Sequence, residues 1–302
     1  MNPGYLLLCL LAVGIWAGNA IVGKLAAGAI PPGTIAFDRW LIAFLVLTPF
    51  VAKRVWQYRA TIRAQLPRLA LLGLLGMATC QGLAYYAASY TSATNIGILL
   101  SLVPLLTLLI GVALFRDLPS RRAMLGVAIS FAGIVLVIGK GDPRALLSQG
   151  VGRGDAMMLV AALSVAAYGV LLKRWASALP TFTSIYVQMA FALIFLLPGM
   201  WLEPAMTYSA PNVAMVLYAA IPGSIVAPYA WMMSVSHLGA NRASIFMNLI
   251  PIATALAAAL LLRETLHGYH LVGGGLTILG VALSQTRARR MAQRPAAAPV
   301  KG

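Results

Sequence analysis

Acidic side chains are scarce in this chain. Only six occur among 302 residues, Asp38, Asp117, Asp142, Asp155, Glu203 and Glu264, against 22 Lys and Arg. They fall singly and mostly beside helix ends, so no pair is positioned for acid/base catalysis, and the chain does not read as an enzyme. Cysteine is nearly absent as well. Cys9 and Cys80 lie far apart inside apolar runs, with no CxxC or Cys/His spacing, and read as neither disulfide nor metal ligands. A phosphate loop is missing: between Gly133 and Lys140 the glycines are separated by five residues rather than four, and Gly141 follows in place of Ser or Thr. The alternating pattern of barrel strands is missing too, which leaves helices as the elements able to satisfy their own backbone in hydrocarbon. Charged residues make up 9% of the chain and hydrophobic residues 61%, whereas a soluble domain carries about 25% charged residues. A water-facing surface cannot be assembled from that composition.

What is present is a succession of apolar runs, each near the roughly 20 residues that a membrane-crossing helix needs. The expected spans are 4–28, 33–52, 67–88, 92–114, 121–139, 153–173, 182–202, 211–235, 240–262 and 266–286. The predicted fold class is therefore an all-α membrane protein with ten transmembrane helices. The first run lacks a basic n-region and reads as a retained helix. Lys and Arg crowd alternate gaps: Lys53, Arg54, Arg59, Arg63 and Arg68, then Arg116, Arg121 and Arg122, then Lys173 and Arg174, Arg242, and a basic tail. The other gaps hold only Lys24, Lys140, Arg144, Arg153 and Arg263. The positive-inside rule then places the N- and C-termini in the cytoplasm, as expected for a multi-pass protein of a bacterial inner membrane. The net charge of +16 implies anionic lipid headgroups as partners rather than nucleic acid.

The chain repeats itself. A shift of 147 residues aligns Ala93 with Ala240, Gly97 with Ser244, Ser101 with Asn248, Pro104 with Pro251, Arg116 with Arg263, Asp117 with Glu264, Gly126 with Gly273 and Gly133 with Gly280. A shift of 149 aligns Lys24 with Lys173, Pro31 with Pro180, Thr34 with Thr183, Phe37 with Tyr186 and Pro49 with Pro198. The expected organisation is a first five-helix repeat over 1–140, an outer connecting loop over 141–152, a second five-helix repeat over 153–286 and a basic cytoplasmic tail over 287–302. Five is odd, so the second copy enters the membrane from the opposite side. Such inverted repeats suit alternating access, with the solute bound near the midplane between the halves.

These features resemble the drug/metabolite transporter superfamily, in its ten-helix EamA-type branch of two tandem domains. The resemblance rests on Trp16, Lys24 and Arg39, on the stretch from Asn95 through Pro104 to Arg116–Asp117, on Gly126 and Gly133, and on the second copy from Asn241 through Pro251 to Arg263–Glu264, Gly273 and Gly280. Ala17 and Asp117 stand where the branch usually has Gly and Glu. Within the branch the chain looks most like the bacterial YddG-type exporters of aromatic and other neutral amino acids. The resemblance implies a small-molecule substrate, export, and a monomer or weak dimer.

Polar groups inside a span are costly in lipid, so they face a cavity or one another. The candidate substrate-binding residues on this ground are Trp16, Asn19, Gln81, Tyr85, Tyr86, Asn95, Ser101, Tyr168, Gln188, Trp231, Ser244 and Asn248. The competing structural reading is that small and polar residues join helices and aromatics form interfacial belts. Pro104, Pro222 and Pro251 fall mid-helix, where a missing N–H opens the backbone as a hinge or break. Lys24, Asp38 and Arg39 are read as an ion pair between Asp38 and one of the cations, with Asp38 as a proton-coupling group the rival. Glu264, His267 and His270 would form one helical row, but interfacial helix ends collect polar residues anyway; no metal and no cofactor is expected. The near absence of mid-span cations disfavours phosphorylated solutes. Aromatic faces with sparse amides suit neutral or zwitterionic amphipathic solutes, with lipophilic-drug efflux as the alternative.

Overall fold

The computed structural model describes residues 3–115, 120–142, 144, 150–175, 179–238 and 246–285. Among them every element is helical. The ten apolar helices are α1 (Pro3–Ala26), α2 (Pro32–Gln57), α3 (Leu66–Ala88), α4 (Ala93–Leu114), α5 (Arg121–Ile138), α6 (Arg153–Arg174), α7 (Thr181–Leu202), α8 (Ala210–Leu238), α9 (Leu249–Leu261) and α10 (Gly268–Gln285). The first eight are long and apolar enough to cross a membrane, and α9 and α10 are shorter apolar helices. Their starts follow ordinary capping chemistry. Pro32 opens α2, where no N–H is needed. The hydroxyls of Ser92, Ser120 and Ser209 accept from the third backbone N–H of α4, α5 and α8. A short helix, Arg59–Ala64, lies between α2 and α3.

Four local breaks interrupt the helices. α4 is broken by a turn at Ser101 and Leu102 before Pro104, and Asn248 forms a turn at the head of α9, before Pro251. Proline removes the N–H that would continue the ladder. α8 contains a π-helical stretch over Pro222–Val226, closed by the Ala227 N–H on the Pro222 carbonyl. α3 carries the same feature over Leu74–Thr79 without a proline.

The helices pack in antiparallel pairs. α5 and α10 cross through four glycines: Gly126 lies against the Gly280 carbonyl and Gly133 against the Gly273 carbonyl, each contact being reciprocal. Residues rising along α5 thus meet residues falling along α10, and the two helices run antiparallel. α2 and α7 pair likewise, with Gly33 against Gly199 at one end and Tyr186 stacked on Phe44 at a centroid distance of 4.3 Å at the other. The remaining main contacts come in matched sets, α1 with α8 as α6 with α3, and α1 with α9 as α6 with α4. One buried core joins α1, α2, α3, α7 and α8, and a second joins α3, α4, α5, α6 and α10. Outward-facing Phe50, Trp201 and Leu260 are 76%, 77% and 80% exposed, as lipid-facing apolar groups should be.

Candidate functional site

A polar group forms where α1, α2, α3 and the π stretch of α8 meet. Its centre is Arg39, 2% exposed. The Arg39 Nη1 donates to Gln81 Oε1 at 2.7 Å and to the Tyr85 hydroxyl at 3.1 Å. Nε and Nη2 both donate to Ser224 Oγ, at 3.1 and 2.8 Å. The Tyr85 hydroxyl in turn donates to Asn19 Oδ1 at 3.4 Å. The guanidinium lies over the rings of Trp40 and Tyr85, 5.1 and 5.7 Å from their centroids. Backbone room is made by Gly223, where a Cβ would come within 3.2 Å of Asn19 Oδ1 and 3.5 Å of Arg39 Nη2. Among the described residues every hydrogen-bond partner of this cation is neutral. The Trp40 indole N–H is also buried without an acceptor.

The expected ion pair is not formed. Lys24 Nζ instead donates to the carbonyls of Ala88 and Thr91, both at 2.8 Å, where the orphan carbonyls at the end of α3 attract a cation. Arg39 is taken up by the neutral oxygens above. Asp38, one residue along α2, is half-buried and has no side-chain partner among the described residues. The proposed row of Glu264, His267 and His270 is likewise corrected: residues 263–267 are not helical, and the Glu264 carboxylate accepts from Ala93 N at 2.8 Å, Thr94 N at 3.2 Å and Thr94 Oγ1 at 2.9 Å.

That Glu264 contact is one of three carboxylate ties at the end of the bundle carrying the α3–α4 turn. Glu203 accepts from Gly33 N at 2.8 Å, Thr34 N at 3.2 Å and the Tyr86 hydroxyl at 2.6 Å. Asp155 accepts from Thr91 Oγ1 at 2.6 Å and Asn95 Nδ2 at 3.3 Å. Two of the three cap helix N-termini, where backbone N–H groups point at the anion. All three reach from the second repeat to the first.

The structure thus divides the residues expected at the site. Asn19, Gln81 and Tyr85 gather around Arg39, while Tyr86 and Asn95 belong to the carboxylate end. Trp16 and Trp231 form a tilted pair, 5.8 Å between centroids, where α1 packs on α8. Tyr168 lies against Gly76 in the π stretch of α3. Gln188, fully buried, donates to Ser184 Oγ at 3.0 Å and packs its backbone against Gly73, with its Oε1 unpaired. Ser101 donates to the Ile98 carbonyl at the α4 break. Asn248 sits at the α9 turn, and Ser244, Arg242, Arg116–Asp117 and the tail 287–302 lie outside the described residues. Ser224 was not expected at the site; its only sequence signal is a hydroxyl directly after the Pro222–Gly223 break.

A chain of apolar helices, eight of them long enough to cross a membrane, agrees with what comparison with known proteins returns. The profile of the EamA-like transporter family matches this chain twice, over residues 3–139 and 152–286. The chain belongs to the EamA-like transporter family. It is therefore a multi-pass membrane transporter, in a family defined by transport rather than catalysis. Relatives of this EamA-like protein are named as transporters too. An uncharacterized transporter of Archaeoglobus fulgidus is 29% identical, over 95% of this chain and 99% of its own. A probable amino-acid metabolite efflux pump of Salmonella typhimurium is 26% identical, over 92% of this chain and 93% of its own. A solved crystal structure shares the fold with a TM-score of 0.64 at 19% identity, over 96% of this chain and 99% of that one.

Proposed function

We propose that the protein exports small neutral and aromatic amino acids across a bacterial inner membrane by alternating access. In this reading all ten helices cross, both termini are cytoplasmic, and the functional unit is a monomer or weak dimer. The observation that carries it is the composition of the group around Arg39: one buried cation, amide and hydroxyl groups from Asn19, Gln81 and Ser224, and the aromatic faces of Trp40 and Tyr85. Such a site complements a solute with a small polar head and an apolar body. A single cation is too little for a phosphorylated solute, and it repels the lipophilic cations that a drug pump would carry. The efflux pump of Salmonella typhimurium, an amino-acid metabolite exporter by its description, points the same way.

The three carboxylate ties supply the closed half of the cycle. In this reading they hold the two halves together at the α3–α4 end, that end faces outside, and solute leaves when it opens. Export is tested in bacteria fed a phenylalanine-containing dipeptide. Expression of this protein is expected to lower the intracellular phenylalanine that accumulates and to raise it in the medium. Equal accumulation with and without the protein would reject export of this solute.

A further inference from the structure

We propose that the Nε–Nη2 edge of Arg39 is the receptor for the carboxylate of the transported solute, and that Ser224 Oγ occupies that edge between solutes. This rests on reading the chain as a carrier of amphipathic organic solutes. A guanidinium has two edges that can each present parallel N–H groups to a carboxylate. Here the Nη1 group is held by Gln81 and Tyr85, both from the first repeat. The Nε–Nη2 edge is different. Both of its bonds converge on a single hydroxyl oxygen, at 3.1 and 2.8 Å, where a carboxylate would offer two oxygens.

That hydroxyl comes from the second repeat. Ser224 sits in the π stretch of α8, and its own proton goes to the Ala219 carbonyl at 2.9 Å. When the repeats shift, the Ser224 contact is the one that moves relative to Arg39, while Gln81 and Tyr85 keep the guanidinium aimed. Burial of a cation among neutral oxygens is costly, and a carboxylate that displaces Ser224 supplies the missing opposite charge. The buried, acceptor-free indole N–H of Trp40 is a second donor in the ring beneath the guanidinium. Gly223 leaves the backbone of α8 without a Cβ beside Nη2.

The test uses the full chain and two probes that split an aromatic amino acid into its charges: 3-phenylpropionate, with the carboxylate alone, and 2-phenylethylamine, with the amine alone. Each is titrated against the thermal melt of the purified protein and against uptake of labelled phenylalanine into proteoliposomes. Wild type is expected to respond to the acid at about 10- to 100-fold lower concentration than to the amine, the factor for losing one charge-assisted pair. Arg39→Lys is expected to keep the preference with weaker binding, and Arg39→Gln to abolish it. An amine that acts as well as the acid on wild type, or a preference that survives Arg39→Gln, overturns the proposal. If Arg39→Gln does not fold, the wild-type comparison decides alone. Phenylalanine flux without acid preference overturns the carboxylate receptor and leaves amino-acid export standing. Acid preference in the melt without phenylalanine flux does the reverse.

Discussion

At the scale of residues, the repeat is most informative where it fails. The 149-residue register that aligns Lys24 with Lys173 places Gln188 opposite Arg39, so the two halves present different groups at equivalent places. Only the first half carries the cation, with Asn19, Gln81 and Tyr85 around it. Those three were legible in sequence, because an amide or phenol within an apolar run has to meet another polar group. Their common partner was not, since Arg39 and Ser224 are 185 residues apart, and an arginine next to an aspartate invites a local pairing that the helix geometry does not make. Asp38 is left without a partner among the described residues, beyond the first turn of α2. Asp38→Asn is expected to retain solute exchange in proteoliposomes but to lose the response to an imposed pH gradient. An unchanged response would remove any coupling role.

At the scale of elements, the α5–α10 crossing depends on glycine. A Cβ on Gly133 would come 2.6 Å from Thr277 Oγ1 and 2.7 Å from Thr277 N, with the Gly273 carbonyl closer still. Gly133→Ala is expected to destabilise the protein by about 1–3 kcal/mol, the usual cost of overpacking, read as a lowered melting temperature in detergent. Gly275→Ala, on α10 where nothing lies within 4 Å of the added carbon, is expected to leave the melt unchanged or raise it slightly. The breaks of α4 and α9 were legible from Pro104 and Pro251, and the α8 break from Pro222. The α3 break was not, because no proline marks it. Its cause is tertiary: the Ser164 hydroxyl of α6 donates to the Leu75 carbonyl, and Tyr168 packs on Gly76. A backbone carbonyl drawn to a neighbouring helix releases its own ladder.

At the scale of the whole molecule, Glu203, Glu264 and Asp155 are half of the six acids in the chain, and each ties the second repeat to the first at one end. The sequence shows them only as isolated acids near helix ends, since the backbone N–H groups they cap lie on other helices. Removing the ties is expected to favour the state open at that end. In a background with Cys9 and Cys80 replaced by alanine, a cysteine at position 19 is expected to react with a membrane-impermeant maleimide about 10-fold faster when Glu203→Ala and Glu264→Ala are added, given the worth of hydrogen bonds to a charged acceptor. An unchanged labelling rate would mean that the ties do not hold that end closed.

The transport assignment itself meets its most direct test in flux. Purified protein in proteoliposomes is offered labelled phenylalanine, labelled threonine and a lipophilic cationic dye, with empty vesicles alongside. Amino-acid flux above the empty vesicles, with dye flux at background, is the expected result. Dye flux with no amino-acid flux would contradict it and assign the protein to cationic drugs instead.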